Sequence, residues 1–223
     1  MAKDLGILID LDGVITDTAE LHYRAWKKLA DSLHIPFNKA VNEGLKGLSR
    51  MDSLEALLGS QRNAFSKEEK EQMAAQKNAD YRQLLEELTA EDLLPGIKAF
   101  LIDLKKRGVP IGLASASKNA PFVLEKLEIA SYFDYIVDPI EVENGKPAPD
   151  IYVKGAQLLG VPPSHCIGIE DAVSGVLAVK SAGMLAIGIG EESILKEAGA
   201  DLVLADTREL SWSVIKSIIE SKK

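Results

Sequence analysis

The chain has 223 residues, of which 46% are hydrophobic and 27% charged, with a formal net charge of −8 and one cysteine. This balance describes a globular chain with a large buried core in one or two domains, and the acidic charge disfavours nucleic acid or an anionic membrane as partner, since both require a basic surface. The single Cys166 excludes an internal disulfide, as in a reducing cytosol, and no run approaches the ~20 apolar residues of a membrane span.

The first element is an apolar, β-branched run at residues 5–9 that ends in Asp10-Leu11-Asp12-Gly13 and reads as a buried strand. Alternation along a strand would aim Asp10 and Asp12 from one face of its carboxyl end, the end at which open α/β sheets bind ligands. The run is short and stops at Asp10, so no signal peptide is expected and a cytoplasmic location is the default. Gly6 stands where a bulkier apolar residue is expected, which predicts looser packing there. From residue 17 the spacing turns helical: Leu21, Ala25, Leu29 and Leu33 recur every four residues, widened by Trp26 and Ala30. Asp17 and Glu20 have capping-box spacing, so this helix should start at Asp17 or Thr18. A polar connector over residues 42–53 holds Gly44, Gly47 and Arg50. Ser66 and Glu69 form a second box, opening a long charged helix towards Leu88. No strand pattern occurs between residues 19 and 88.

Beyond Pro95-Gly96, helices and strands alternate. A helix carrying Ile97, Phe100, Leu101 and Leu104 leads to a strand at 111–115, and a helix from Asn119 leads to a strand at 135–137. A helix at 150–159 closed by Gly160 leads to a strand at 166–170 containing Cys166, which reads as a small core hydrophobe. A helix at 172–182 closed by Gly183 leads to a strand at 186–189; a short helix, a strand at 202–204 and an amphipathic helix complete the chain. This alternation predicts an α/β fold, a doubly wound parallel sheet with a Rossmann-like core. The helical block must then be an insertion after the first strand. The division expected is a core over residues 1–16 and 93–223 and an all-α cap over residues 17–92.

Four polar signals fall at strand ends of that core: Asp10-x-Asp12-Gly13; Ser115 in Ala114-Ser115-Ala116-Ser117-Lys118-Asn119; Lys146 in Gly145-Lys146-Pro147; and Glu170-Asp171. A carboxylate can attack a phosphoryl group, but both are anionic, and a unit-charge pair at ~4 Å costs roughly 4 kcal/mol at an effective dielectric of about 20. A divalent cation and a lysine are the natural remedy. Asp10, Glu170 and Asp171 offer hard oxygens suited to Mg²⁺, Lys146 a point charge, and Ser115 with nearby backbone N–H groups hydrogen bonds to phosphate. Singly, each signal has an ordinary reading: an Asp-Gly turn, a loop lysine, or acids opening a helix.

In this order and context the motifs resemble the haloacid dehalogenase superfamily of phosphoryl-transfer enzymes, over the whole chain. The words Asp-Gly-Val-Ile-Thr-Asp-Thr-Ala-Glu, Leu-Lys-Gly-Leu-Ser-Arg at 45–50, Ala-Ser-Ala-Ser-Lys-Asn-Ala-Pro-Phe at 114–122 and Gly-Lys-Pro-Ala-Pro-Asp are similar to its sugar-phosphomutase branch. The resemblance implies that Asp10 is nucleophile and metal ligand, and that Asp12 is general acid/base with its carbonyl towards the metal. Asp171 would ligate Mg²⁺ directly, and Glu170 directly or through water. Ser115 and Lys146 would hold the transferring phosphoryl, and Arg50, Ser117, Lys118 and Asn119 a second, distal phosphate. His22 and Lys77 would position Asp12 and the sugar, and Thr18 would be a hinge. Leu45, Lys46, Gly47 and Leu48 would line the sugar pocket, with Ser49, Ser53, Ala116 and Trp26 around the substrate, although Trp26 by itself reads as packing. The implied reaction interconverts β-D-glucose 1-phosphate and glucose 6-phosphate in a monomer, with β-glucose 1,6-bisphosphate as priming intermediate. A phosphatase sharing every core motif, a phosphonate hydrolase with a Schiff-base lysine in the cap, and a catalytically silent ligand-sensing relative are the alternatives.

Overall fold

The computed structural model describes residues 5–221; residues 1–4 and 222–223, which close the expected core spans, lie outside it. Strand β1 (Gly6–Ile9) leads into helices α1 (Ala19–Ser32), α2 (Lys39–Glu43), α3 (Arg50–Leu58) and α4 (Lys67–Leu85). There follow α5 (Ile97–Lys106), β2 (Ile111–Leu113), α6 (Ala120–Lys126), β3 (Tyr135–Ile136), α7 (Asp150–Leu159), β4 (Cys166–Glu170), α8 (Val173–Ser181), β5 (Leu185–Ile189), α9 (Glu192–Glu197), β6 (Leu202–Leu204) and α10 (Trp212–Glu220). The strands form one six-stranded parallel sheet in the order β3-β2-β1-β4-β5-β6.

Every residue of β1 is buried because both faces of the sheet are covered. Ile7 and Ile9 join the apolar layer beneath α5, α6 and α10, while Leu8 points into the opposite layer with Tyr152 of α7 and Val176 and Val179 of α8. Gly6 is not a loose spot. A Cβ there would lie 3.0 Å from Cys166 Sγ and 3.3 Å from Leu159, so the small residue is what lets β4 and α7 close onto β1. A third apolar cluster, with Trp26, Leu29, Leu54, Leu57 and Leu58 at its centre, belongs to α1, α3 and α4 with Phe37 and Leu45 from the segments flanking α2. Helices α1 and α4 are also rooted in the sheet's core, through Ala25 of α1, Tyr81 and Leu85 of α4, and Leu88 just beyond α4. Among the described residues no helix is long and apolar enough to cross a membrane.

Local signals decided the helix ends, with three departures from expectation. Ser66 and Glu69 make the predicted reciprocal capping box at α4, which stops at Leu85, short of Leu88. The Asp17/Glu20 box does not form. Asp17 Oδ1 accepts from the Ala19 amide at 3.0 Å, Glu20 pairs instead with Lys39 at 3.2 Å, and the capping residue Thr18 gives its hydroxyl to Asp12. The expected connector at 42–53 is helical at both ends, with only residues 44–49 left between helices: Asn38 caps α2 by accepting from the Val41 amide, and Ser49 caps α3 by accepting from that of Asp52. Arg50 is therefore the first residue of a helix rather than part of a loop. Two strands are also shorter than predicted, since β2 ends at Leu113 and β3 at Ile136, leaving Ser115 in the loop beyond β2.

Candidate active site

From β1 the chain builds outward through β2 to β3 on one side and then crosses back to β4 on the other, so the carboxyl end of β1 opens at the switch point of the sheet, where a crevice forms. Asp10 follows β1 directly and is fixed there, its amide donating to the Ile169 carbonyl of β4 at 3.0 Å. Asp12 reaches the same crevice, but not through strand alternation, because the strand ends at Ile9. A tight turn carries it, with Gly13 at φ +80° donating its amide to the Thr16 carbonyl at 2.9 Å. A side chain at Gly13 is excluded twice, since its Cβ would also lie 2.1 Å from Asp171 Oδ2.

On the core wall, Lys146 is neither a solvated loop lysine nor exposed. Its Nζ donates to Asp10 Oδ1 at 2.9 Å and to Glu170 Oε1 at 2.5 Å, with both partners buried. The Tyr152 hydroxyl also donates to Glu170 Oε1, and Glu170 Oε2 is buried without a hydrogen-bond partner among the described residues. Glu170 and Asp171 do not open a helix either, as α8 begins at Val173. Asp10, Glu170 and Asp171 present carboxylate oxygens that lie within 4.8 Å of one another. Burial and then Glu170 and Asp10 hold the Asp171 carboxyl well above the usual range, and burial and Asp10 push Glu170 up as well. Burial alone would lower Lys146, yet Asp10 and Glu170 raise it, so it stays charged. Three acids with one ammonium, and an orphaned buried oxygen, are a donor set that fits a hard divalent cation.

The helical wall is the reverse. Thr18 donates to Asp12 Oδ1, and burial with Asp10 beside it still pushes the Asp12 carboxyl up to about 6. His22 Nε2 lies 3.9 Å from Asp12 Oδ2, and its Nδ1 lies 2.9 Å from Lys77 Nζ. Burial and then the Lys77 and Arg50 charges hold His22 well below its usual value, so it is neutral. Where Lys77 is the donor to Nδ1, the imidazole proton is left on Nε2, on the side of Asp12. Lys77 is buried, its Nζ 4.6 Å from the ring centroids of both Trp26 and Tyr81, and burial with Arg50 nearby lowers it to about 7. Arg50 is desolvated too, and among the described residues no carboxylate pairs with it.

Between the walls lies a cleft of about 1050 Å³. All the residues expected at the site line it except Thr18 and Glu170, which stand behind Asp12 and Lys146. Ser115 is buried past β2 and accepts from the Ser117 amide at 3.1 Å; Ser117 accepts from the Asn119 amide at 3.3 Å, with Ala116 between them and Lys118 exposed at the rim. Leu45 turns partly into the helical core, while Gly47, Leu48, Ser49 and Ser53 face the cleft. Trp26 has both expected characters, packing in the helical core and touching the cleft. Contacts bridge the two walls: Asn119 Nδ2 donates to Asn78 Oδ1 at 2.8 Å, the Ser174 hydroxyl to the Lys46 carbonyl at 3.2 Å, and Lys46 Nζ lies 3.8 Å from Asp171 Oδ2.

Three participants escaped the sequence reading. Asn78 and Tyr81 share the cleft-facing side of α4 with Lys77, and the four-residue spacing from Lys77 to Tyr81 was a usable signal. Tyr152 gave none, because a tyrosine in an apolar helix stripe reads as packing.

Residues 5–183 match the model of the haloacid dehalogenase-like hydrolase family. The β-phosphoglucomutase of Bacillus subtilis is 47% identical over 211 residues, 94% of this chain and 92% of that protein. A phosphorylated carbohydrates phosphatase of Thermotoga maritima is 29% identical over 96% of this chain and 99% of its own length. Among solved structures, the β-phosphoglucomutase of Clostridium difficile superposes with a TM-score of 0.94 at 46% identity, covering 97% of each chain.

Proposed function

Because the chain belongs to the haloacid dehalogenase-like hydrolase family, we propose that it is a phosphomutase that interconverts β-D-glucose 1-phosphate and glucose 6-phosphate. The observation that carries this reading is Arg50, a desolvated guanidinium with no carboxylate partner among the described residues, lining the same cleft as Asp10 and Lys146. One phosphate needs only the core wall. A bisphosphate needs an anion site at each end, and an arginine fork suits the second. The 47% identical β-phosphoglucomutase supports the same choice of reaction.

Enzymes of this family depend on Mg²⁺, and Asp10, Glu170, Asp171 and the Asp12 carbonyl would hold it. Bound there, the ion would neutralise charge shared by the acids and the transferring phosphoryl. Asp10 carries the phosphoryl as an aspartyl phosphate, with Lys146 and Ser115 on its oxygens. The 6-hydroxyl of β-glucose 1-phosphate attacks the phosphorus while Asp12 takes its proton, and the bond between phosphorus and Asp10 breaks. The product, β-glucose 1,6-bisphosphate, turns over so that its C1 phosphate meets Asp10. Asp10 then attacks that phosphorus, and protonated Asp12 gives its proton to the departing O1, releasing glucose 6-phosphate.

Thr18 and His22 set the orientation of Asp12, and Lys77 holds His22 in the required tautomer. Arg50, Ser117, Lys118 and Asn119 grip the distal phosphate, while residues 45–49, Ser53, Ala116 and Trp26 surround the sugar. Residues 17–92 act as a cap on the core formed by residues 1–16 and 93–223; the separate apolar cluster of α1, α3 and α4 supports that division. Closure joins Asn78 to Asn119 and keeps water from the aspartyl phosphate. A cap that must move on its core suits a monomer, and a small anionic sugar-phosphate substrate supports work in the cytoplasm, without nucleic acid or membrane.

The test is an assay with Mg²⁺, β-glucose 1-phosphate and trace bisphosphate, following glucose 6-phosphate and free phosphate together. Glucose 6-phosphate should dominate. Dominant phosphate release would make the chain a sugar-phosphate phosphatase, the reading that the Thermotoga relative favours.

A further inference from the structure

Glu170 is enclosed by protein on every side. Its Oε1 receives two donors, Lys146 Nζ and the Tyr152 hydroxyl, while Oε2 receives none among the described residues. The carboxylate lies flat against Gly175 in the first turn of α8, where a Cβ would stand 2.0 Å from its carboxyl carbon and 2.1 Å from Oε2. It occupies the space a side chain would otherwise take. Tyr152, fully buried on α7, touches both members of the ion pair: its hydroxyl bonds Glu170, and its ring centroid is 5.4 Å from Lys146 Nζ.

Packing does not ask for that hydroxyl. A phenylalanine would offer the same ring to Leu8, Ile151 and Ala156 of the surrounding apolar layer. A buried hydroxyl is costly unless bonded, and its one acceptor is the oxygen Lys146 already uses. Bonded by the ammonium alone, the carboxylate could turn about its last torsion, which is broad and roughly two-fold. Two donors converging on one oxygen remove that freedom.

We propose that Tyr152 is a positioning residue of the cation site: with Lys146 it saturates Oε1 of Glu170 against the bare Gly175 turn, so that Oε2 alone is presented to the divalent ion. This rests on the reading that Asp10, Glu170 and Asp171 hold Mg²⁺. Groups that orient metal ligands in this way typically change metal affinity by about 10–100-fold when removed.

The experiment titrates Mg²⁺ by calorimetry into the substrate-free protein and into Y152F, Y152L and G175A, with melting temperatures taken in EDTA. Y152F should bind Mg²⁺ about 10-fold more weakly or worse, at an EDTA melting temperature within a few degrees of the parent. G175A, which pushes on the same carboxylate with Tyr152 intact, should weaken Mg²⁺ similarly. The Mg²⁺ concentration for half-maximal turnover in Y152F should rise by the same factor as Kd. An unchanged Kd in Y152F, or weakening in Y152L alone, would assign Tyr152 to packing and overturn the proposal. Parent protein that binds no Mg²⁺ would overturn the cation site and this inference with it. Parent protein that binds Mg²⁺ but releases phosphate would overturn only the mutase reading.

Discussion

The two walls of the cleft carry opposite deficits. The core wall gathers Asp10, Glu170 and Asp171 around a single ammonium, Lys146, and the crowding shows in carboxyls driven upward by burial and by one another. The helical wall gathers Lys77 and Arg50, both desolvated and neither joined to a carboxylate among the described residues, beside a neutral His22. Neither arrangement is comfortable alone, since uncompensated charge away from water is expensive. One wall is short of a cation and the other of an anion. In the proposed function a metal ion would answer the first deficit and the distal phosphate of the substrate the second.

The largest break in that contrast is Asp10→Asn. It removes the proposed nucleophile and should lower turnover by ~10⁴-fold or more, the scale on which losing a nucleophile acts; steady-state assay of glucose 6-phosphate checks it. Lys146→Met leaves Asp10 and Glu170 buried without their ammonium and should destabilise the fold by about 3–5 kcal/mol in urea unfolding. That loss should shrink as pH falls, because a native carboxyl whose pKa is raised binds protons the unfolded chain does not, and stability then rises with acid.

Arg50→Ala tests the other wall. Mutase kcat/KM should drop about 100-fold, the worth of bonds to a charged group, while hydrolysis of a small phosphomonoester barely changes; equal losses would remove the distal-phosphate role. Thr18→Val sharpens the comparison at its seam. Asp12, pushed up to about 6, must be ionised to accept the proton of the incoming hydroxyl, so kcat/KM for β-glucose 1-phosphate should fall below about that pH. The Thr18 hydroxyl favours the ionised form, so its loss should move this acidic limb upward by up to about one pH unit. Asn78→Ala removes one neutral bond across the cleft and should raise the share of phosphate released by only a few-fold.

How much of this was legible in the chain differs from place to place for physical reasons. The strands and helices of the core were readable because β1 and β4 are buried on both faces and spell continuous apolar runs, and because α7 ends where Gly160 adopts φ +67°. The connector at 42–53 was not, because α2 and α3 are too short for an amphipathic period to show; only their caps, Asn38 and Ser49, marked them. The Asp17/Glu20 box failed because the capping residue is Thr18, one place later, which puts Glu20 at the second helical position and leaves Asp17 to accept from the Ala19 amide.

By itself the sequence determined the alternating core, the inserted helices and the acids at the strand ends, since these follow from periodicity and from residues that neighbour one another along the chain. Tertiary structure alone decided that Lys146, 136 residues from Asp10, lies against it. It also decided that Gly6 is tightly packed rather than loose, and that the hydroxyl of Tyr152 belongs to the site. These are properties of distance and burial between segments far apart in the chain, and no local pattern of residues encodes them.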